Sequence, residues 1–411
     1  MPESHDFDYE KVINAPADLI YRAFTSATAL REWLCDVSTT DPDEGGWIYL
    51  AWHHGYFAAG QYTKLVPDEA VSFTWIGKGE PAWTQVDVTI TPIVEMESFK
   101  VELRHSGIGY GADWDGARKE ITKGWKSGLE NLKVILEEGR DLRVINRPLL
   151  GIYIEEVSTL TQSARESMNI PVENGVLVSN VVPGYGAETA GIQPNDVIVE
   201  VEGSRVDGMR ALGTLISNYA PGDQISAKVF RGTREMTFIV DTKAQEVQDL
   251  PGAPEELARD LEVKSSKVLE TLENILESVT DAEASYSPGP DAWSVKETLV
   301  HLIHNERELH SWINDLVAGQ ERFYDEWPGD QMFRIRATLT TYPDMNNLLA
   351  ELRRSLKETV ATVAFLDQVF TRRKASYWRL AMEVLGTTKH IQEHIGQIEA
   401  NVKAAREAKP E

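Results

Sequence analysis

Two hydrophobic periodicities divide the chain. Up to about Gly139, stretches such as Val71-Ser72-Phe73-Thr74-Trp75 and Val86-Asp87-Val88-Thr89-Ile90 alternate apolar and polar residues, the pattern of strands with one buried face. Helices bracket them. Pro16 suits a first helical turn and Leu19, Ile20, Ala23 and Phe24 share a face, which predicts a helix from Ala17 through Phe24. Trp125, Leu129, Leu132 and Leu136 form one apolar stripe and predict a long closing helix. From Leu149 to Thr242 the apolar runs are short and cut by glycine and proline, with turns at Pro183-Gly184 and Pro221-Gly222, a compact mostly-β pattern. After the acidic stretch Gln245 to Glu256, glycine almost vanishes and apolar residues recur at helical spacing. Helices are predicted from Leu261 to Val279, Val295 to Leu316, Tyr342 to Leu366 and Tyr377 to Ala405, an up-down four-helix bundle. Ser294 with Glu297 three residues later is a capping box that starts the second of these.

The fold class expected is multidomain α+β. Its parts are a sheet-and-helix domain at 1–143, a mostly-β domain at 144–244, a linker at 245–256 and an all-α bundle at 257–411. A length of 411 residues agrees with two or three separate cores. The formal net charge of −24 opposes attraction to phosphate backbones and anionic lipid, so neither a nucleic-acid nor a membrane partner is expected. Cys35 is the only cysteine, which leaves any metal to His, Asp or Glu. The acidic N-terminus lacks the features of a signal peptide and no apolar run of about 18 residues occurs, so a cytoplasmic location is expected. No Gly-x-Ser-x-Gly elbow points to a serine nucleophile.

Five of the nine histidines fall in the helical segment: His301, His304, His310, His390 and His394. His390 and His394 are four apart and point the same way from one helix, while His301 lies one to two turns into another. Packed side by side, the two helices bring three imidazoles onto one ion; the competing reading is a set of surface or capping histidines on an acidic bundle. His304 and His310 are read as bystanders, and Glu306 and Glu393 as partners that orient ligands. Trp293-Ser294-Val295-Lys296-Glu297, His301-Leu302 and His390-Ile391-Gln392-Glu393-His394 resemble the DinB-like superfamily. The resemblance implies a bundle in which His301, His390 and His394 hold a divalent transition metal (zinc, nickel or iron) with open positions. It also implies that the metal serves a thiol transferase or hydrolase acting on small electrophilic or apolar compounds.

Tyr9-Glu10-Lys11-Val12-Ile13-Asn14-Ala15-Pro16, Leu30-Arg31-Glu32-Trp33, Gly60-Gln61-Tyr62, Phe73-Thr74-Trp75 and Gly124-Trp125 together resemble the START-like proteins related to the Hsp90 ATPase activator. A helix-grip fold with a cavity for a small apolar ligand is implied. Trp33, Trp52, Trp75 and Trp83, with His53 and His54, are the expected lining; alternatively the tryptophans simply fill the core.

Leu149-Leu150-Gly151-Ile152, Val182-Pro183-Gly184, Ala190-Gly191-Ile192 and Asn195-Asp196-Val197-Ile198 resemble a PDZ domain of the bacterial protease-associated kind. That resemblance implies capture of an apolar C-terminal peptide, which adds a strand to Ile152-Tyr153-Ile154. Backbone N–H groups around Leu150, Gly151 and Ile152 would hold its carboxylate, and Leu212, Leu215 and Ile216 its side chain. The groove is alternatively filled in cis. A non-enzymatic stress-response adaptor or co-chaperone-like scaffold is accordingly the second functional reading.

Overall fold

The computed structural model describes residues 5–246, 249–289, 292–322 and 331–408, so residues 247 and 248 of the expected linker and both chain ends lie outside it. The chain divides into two compact units, residues 1–140 with 249–411, and residues 141–248.

The larger unit begins with an antiparallel sheet. Its strands are β1 (His5–Ile13), β2 (Val37–Thr40), β3 (Trp47–Ala51), β4 (Phe57–Val66), β5 (Ala70–Gly77), β6 (Thr84–Ile93) and β7 (Ser98–Ile108), in spatial order β1-β7-β6-β5-β4-β3-β2. Two short helices, α1 (Ala17–Thr25) and α2 (Ala27–Trp33), join β1 to β2, and α3 (Ala112–Glu138) closes the domain. The alternation predicted for β5 and β6 is realised: Val71, Phe73 and Trp75, and Val86, Val88 and Ile90, are all buried. They meet Trp125, Leu129 and Leu132 of α3 in one core.

The space between sheet and helix is occupied by aromatic rings. Trp125 lies 5.5 Å from Trp75 and 6.5 Å from Trp33, and Phe24 packs edge-on against Trp33 at 5.2 Å. Trp33 and Trp75 are therefore core residues, and Trp52 is half-buried with its indole N–H on the carbonyl of Leu34. Trp83 does not fit the expected lining: it is 52% exposed, just ahead of β6. His53 and His54 sit on an exposed turn between β3 and β4, outside any strand.

A polar chain crosses this core. The indole N–H of Trp125 donates to Nδ1 of His105 at 3.0 Å, which leaves the proton on Nε2; that nitrogen faces Thr84 Oγ1 at 2.7 Å, and Thr84 donates to the Trp75 carbonyl. Nothing in the periodicity marks His105 as special, yet it is wholly buried.

The helical part of the larger unit contains α8 (Pro254–Leu276), α9 (Asp281–Ala284), α10 (Val295–Ala318), α11 (Gln331–Thr341), α12 (Met345–Ala364), α13 (Gln368–Thr371) and α14 (Lys374–Glu407). Between α3 and α8 in sequence come α4 (Leu142–Ile145), α5 (Gln162–Ser167), α6 (Gly186–Ala190) and α7 (Met209–Ile216) of the smaller unit. Helices α8, α10, α12 and α14 form the bundle. The first begins seven residues before the expected Leu261, because Pro254 is placed in its first turn and Leu257 and Ala258 are buried. Helix α11 is an addition to the predicted four; Ile335 is its only buried residue, so it leaves little apolar periodicity to read. The predicted capping box at Ser294 and Glu297 is present, each side chain bonded to the other's backbone N–H.

Bundle and sheet domain share a seam. Ala375, in the first turn of α14, belongs to the core of the sheet domain, and Ser376 donates to Glu32 at 2.5 Å. Glu321 accepts from Arg31 and Arg379 at 3.0 and 2.6 Å and from the Trp312 indole at 2.7 Å. The Arg379 charge and these bonds hold the Glu321 carboxyl below the usual range despite the opposing effect of burial.

The smaller unit has a sheet in the order β13-β12-β10-β9-β8, with β11 (Ser204–Arg205) paired to β10. These strands are β8 (Ile152–Glu156), β9 (Val176–Val181), β10 (Asp196–Val201), β12 (Gln224–Arg231) and β13 (Arg234–Asp241). Its helices are α4, α5, α6 and α7. Strand β8 is a sheet edge, and Glu156 at its end accepts from the backbone N–H of Met209, tying the start of α7 to that edge.

Burial depresses the His105 pKa from 6.5 to about 3, so the folded state keeps this imidazole neutral where the unfolded chain takes up a proton. The stability it contributes is whole above pH 6.5 and falls as pH drops from there toward 3, by up to on the order of 4 kcal/mol. Denaturant unfolding at pH 7 and pH 5 should show wild type losing more stability than His105→Gln; equal losses would refute this assignment.

Candidate metal centre

Helices α10 and α14 pack against each other, with Leu299, Leu302 and Ile303 on one and Ile391, Ile395 and Ile398 on the other in a common core. Their facing positions put His301 opposite His390 and His394. The start of α10 is held by three bonds: Asn401 of α14 donates to the Trp293 carbonyl at 2.7 Å, and buried Lys296 reaches Asp281 at 2.5 Å and the Pro343 carbonyl at 2.6 Å. The Trp293 ring lies 4.9 Å from that of His301.

The three imidazoles meet through Nε2. His390 Nε2 is 3.3 Å from His301 Nε2 and 3.1 Å from His394 Nε2, and one nitrogen of each ring lies within 4.8 Å of the others. Four-coordinate nitrogen ligands at about 2.0–2.1 Å from an ion stand roughly 3.3 Å from one another, so this spacing fits a single metal. The proton arrangement fits too. His394 Nδ1 faces the Gln397 carbonyl oxygen at 2.8 Å, which assigns its proton to Nδ1 and turns a lone pair from Nε2 toward the cluster. His390 has one Nε2 with two neighbours, so one of its N···N contacts lacks a proportionate donor–acceptor match; a cation removes the conflict.

All three rings are half-buried. Burial, then the charges of His394, His390 and His304, lower His301 to about 4, and burial also lowers His390. Neutral imidazole is the form a metal binds.

The remaining predicted residues divide. His304 and His310 point away, their Nε2 atoms each 2.8 Å from Thr338 and Thr359. Glu306 is buried and accepts from Thr359 at 2.6 Å, and Glu393 is exposed beside Lys389 on α14, so neither orients a ligand as expected. Gln397 has that position. The helical spacing rule that pairs His390 with His394 at i, i+4 reaches Gln397 from His394 at i, i+3.

In the smaller unit, Gly151 adopts φ +79° and lies against Tyr185 so closely that a Cβ would overlap that side chain. The carbonyls of Leu150 and Gly151 accept from Ala187 and Val182, and among the described residues the N–H groups of Leu150 and Gly151 have no acceptor. Ile152 and Ile154 are half-buried and Tyr153 is 42% exposed, facing alternately along the edge strand. Leu212 is buried in the domain core, and Leu215 and Ile216 pack partly exposed against it.

Three family descriptions match in order along the chain: "Activator of Hsp90 ATPase homolog 1-like protein" over residues 14–137, "PDZ domain" over 148–242 and "DinB superfamily" over 266–398. Curated relatives include a probable periplasmic serine endoprotease DegP-like from Hahella chejuensis, 34% identical over 107 residues, 26% of this chain and 22% of that protein. The periplasmic pH-dependent serine endoprotease DegQ of Escherichia coli is 30% identical over 104 residues, 25% of this chain and 22% of that protein. The chain thus spans about a fifth of the length of these relatives. Among solved structures, an HSP90 activator from Plasmodium falciparum is 23% identical with a TM-score of 0.29, covering 32% of this chain and 95% of its own. A Chromobacterium violaceum protein is 25% identical with a TM-score of 0.27 over the same shares. The chain is a multidomain α+β protein that joins, in this order, an Hsp90-ATPase-activator-like START-type domain, a PDZ domain and a helical domain of the DinB superfamily.

Proposed function

We propose that the helical domain is a metal-dependent enzyme, a thiol transferase or hydrolase acting on small electrophilic or apolar compounds. The observation that carries this reading is the convergence of three Nε2 atoms from two helices, in a superfamily whose members generally bind metals. His301, His390 and His394 would hold a divalent transition metal such as zinc, nickel or iron. Bound there, it would lower the pKa of a coordinated water or thiol toward neutrality. The chain's own contribution is positional: Gln397 fixes the tautomer and angle of His394, and Trp293 backs His301 with an apolar wall. Three protein ligands leave a position for the reacting group, unlike a closed structural site.

The second reading is peptide recognition by the PDZ domain, favoured by the free N–H groups of Leu150 and Gly151 at the head of an edge strand. An extended peptide with an apolar C-terminus would pair with Ile152, Tyr153 and Ile154 and set its last side chain against Leu212, Leu215 and Ile216. In that capacity the protein is an adaptor. No helix among the described residues is long and apolar enough to cross a membrane, and the PDZ relatives are named as periplasmic. A cytoplasmic setting belongs to the proposal.

Elemental analysis of untagged wild type after growth in metal-replete medium should give near one transition metal per chain, and the His301/His390/His394 triple alanine variant none. Equal content in both would end the enzyme reading. Gln397→Leu should retain the metal but weaken it about 10–100-fold in chelator competition; unchanged affinity would remove Gln397 from the site. For the PDZ groove, peptides with apolar C-termini should bind wild type with micromolar affinity and fail to bind Ile216→Asp, and amidation of the peptide terminus should abolish binding to wild type. Undiminished binding of the amidated peptide would rule out carboxylate capture.

A further inference from the structure

Within the larger unit, the seam between sheet domain and bundle holds a cleft of about 20 Å³, bounded by α1, α2, α3 and the start of α14. Leu19, Ala23, Trp33 and Leu136 give it apolar walls. Its charged lining is lopsided: Arg22, Arg372, Arg373 and Lys374 against the single carboxylate of Glu32. Arg372 is matched from outside by Asp18 at 2.9 Å, and Lys374 donates to the Glu137 carbonyl at 2.5 Å. The exposed Asp367 also acts on Arg373. Glu32 is divided among Ser376 at 2.5 Å, Arg379 at 3.6 Å and Arg22 at 3.9 Å. In a chain of net charge −24, this is a local excess of positive charge, with Arg22 and Arg373 partly buried and Arg372 and Lys374 exposed.

Two buried guanidinium nitrogens in the cleft lack an acceptor among the described residues, Nη2 of Arg22 and Nε of Arg373. Arg373 has spent its other nitrogens on the carbonyls of Leu316 and Val317, at 3.2 and 2.5 Å, where α10 ends. A buried charged donor left unbonded costs more than a neutral one. Between the two cations the backbone makes room: Gly319 turns at φ +72°, and a Cβ there would stand 3.2 Å from Arg373 Nη1 and 3.6 Å from Arg22 Nη2. Burial and then the Arg22 charge lower Arg373 below the ordinary arginine range, against the opposing pull of Glu32 and Asp367, the direction expected of a desolvated cation that faces a second one.

We propose that this cleft is an anion site, in which a chloride-sized monovalent anion sits between Arg22 and Arg373 and ties the sheet domain to the bundle. Size selects the class. Roughly 10–15 Å³ of free volume accommodates one water-sized particle, so the space admits a halide and excludes a phosphorylated metabolite. The anion accepts from both orphaned donors and offsets the repulsion between their charges, which links occupancy to the integrity of the seam.

The test uses the full chain, with chloride and bromide as probes. Thermal unfolding in sodium chloride against sodium gluconate at equal ionic strength should raise the melting temperature of wild type with chloride alone. Arg22→Gln and Arg373→Gln should each lose that difference, together with the saturable broadening of the chloride NMR line. Wild-type crystals soaked in bromide should give an anomalous peak between the two arginines, a reading that does not depend on either variant folding. An identical response to chloride and gluconate, or a bromide map empty at the cleft, would overturn the proposal and leave the donors to water.

Discussion

The larger unit depends on one 34-residue helix. Helix α14 enters the core of the sheet domain with Ala375, bonds Glu32 through Ser376, and then runs the length of the bundle to present His390 and His394. At about 1.5 Å per residue, Ser376 and His390 are separated by about 21 Å along its axis, too far for direct contact but joined by a rigid element. Its buried stripe, Leu380, Val384, Ile391, Ile395, Ile398 and Val402, fixes how the helix is rotated. His390 and His394 each precede an isoleucine of that stripe. One residue is about 100° of turn, so the imidazoles emerge at the stripe's margin, half-buried and open enough to meet a ligand.

That arrangement explains what was legible in the sequence. The i, i+4 pair, the third histidine after a capping box and the helical spacing around them depend only on local geometry, and the structure brings the three rings together. Gln397 is within reach of the same rule, but carboxylates are the commoner partners of ligand histidines, and Glu393 follows the polar face instead. In the first domain, period two identified Trp75 as buried, whereas Trp83 lies ahead of β6 where alternation no longer operates. Aromatic character was the wrong guide there. His105 was missed for the converse reason: its neighbours Trp125 and Thr84 come from other elements, and no local pattern announces a buried polar chain.

The seam was not legible at all, and its composition shows why. Arg31 and Glu321, or Glu32 and Ser376, are hundreds of positions apart, and each taken alone reads as an ordinary surface residue. Only tertiary contact turns them into buried partners. Such ion pairs add little net stability against the desolvation they require, while an unmatched member is strongly unfavourable. The seam is therefore better understood as specifying one way of docking sheet to bundle than as strengthening the contact.

A folded domain between the two halves of that unit poses a problem of chain entropy that the PDZ fold solves locally. The chain leaves the larger unit after Arg140 and returns at Asp249. Were the intervening residues unstructured, the seam would have to close a long loop, at a cost that grows with the logarithm of its length. Instead Leu149 and Lys243 exchange backbone hydrogen bonds of 2.8 and 3.0 Å, an isolated bridge that brings the domain's entry and exit segments side by side. Once it has folded, the flanking halves are joined through short spans, and docking of sheet to bundle bears little of the closure cost. The same bridge stands immediately before Leu150 and Gly151, whose backbone the peptide proposal requires to be fixed. A single pairing thus serves the insertion and orders the loop where a terminal carboxylate would bind.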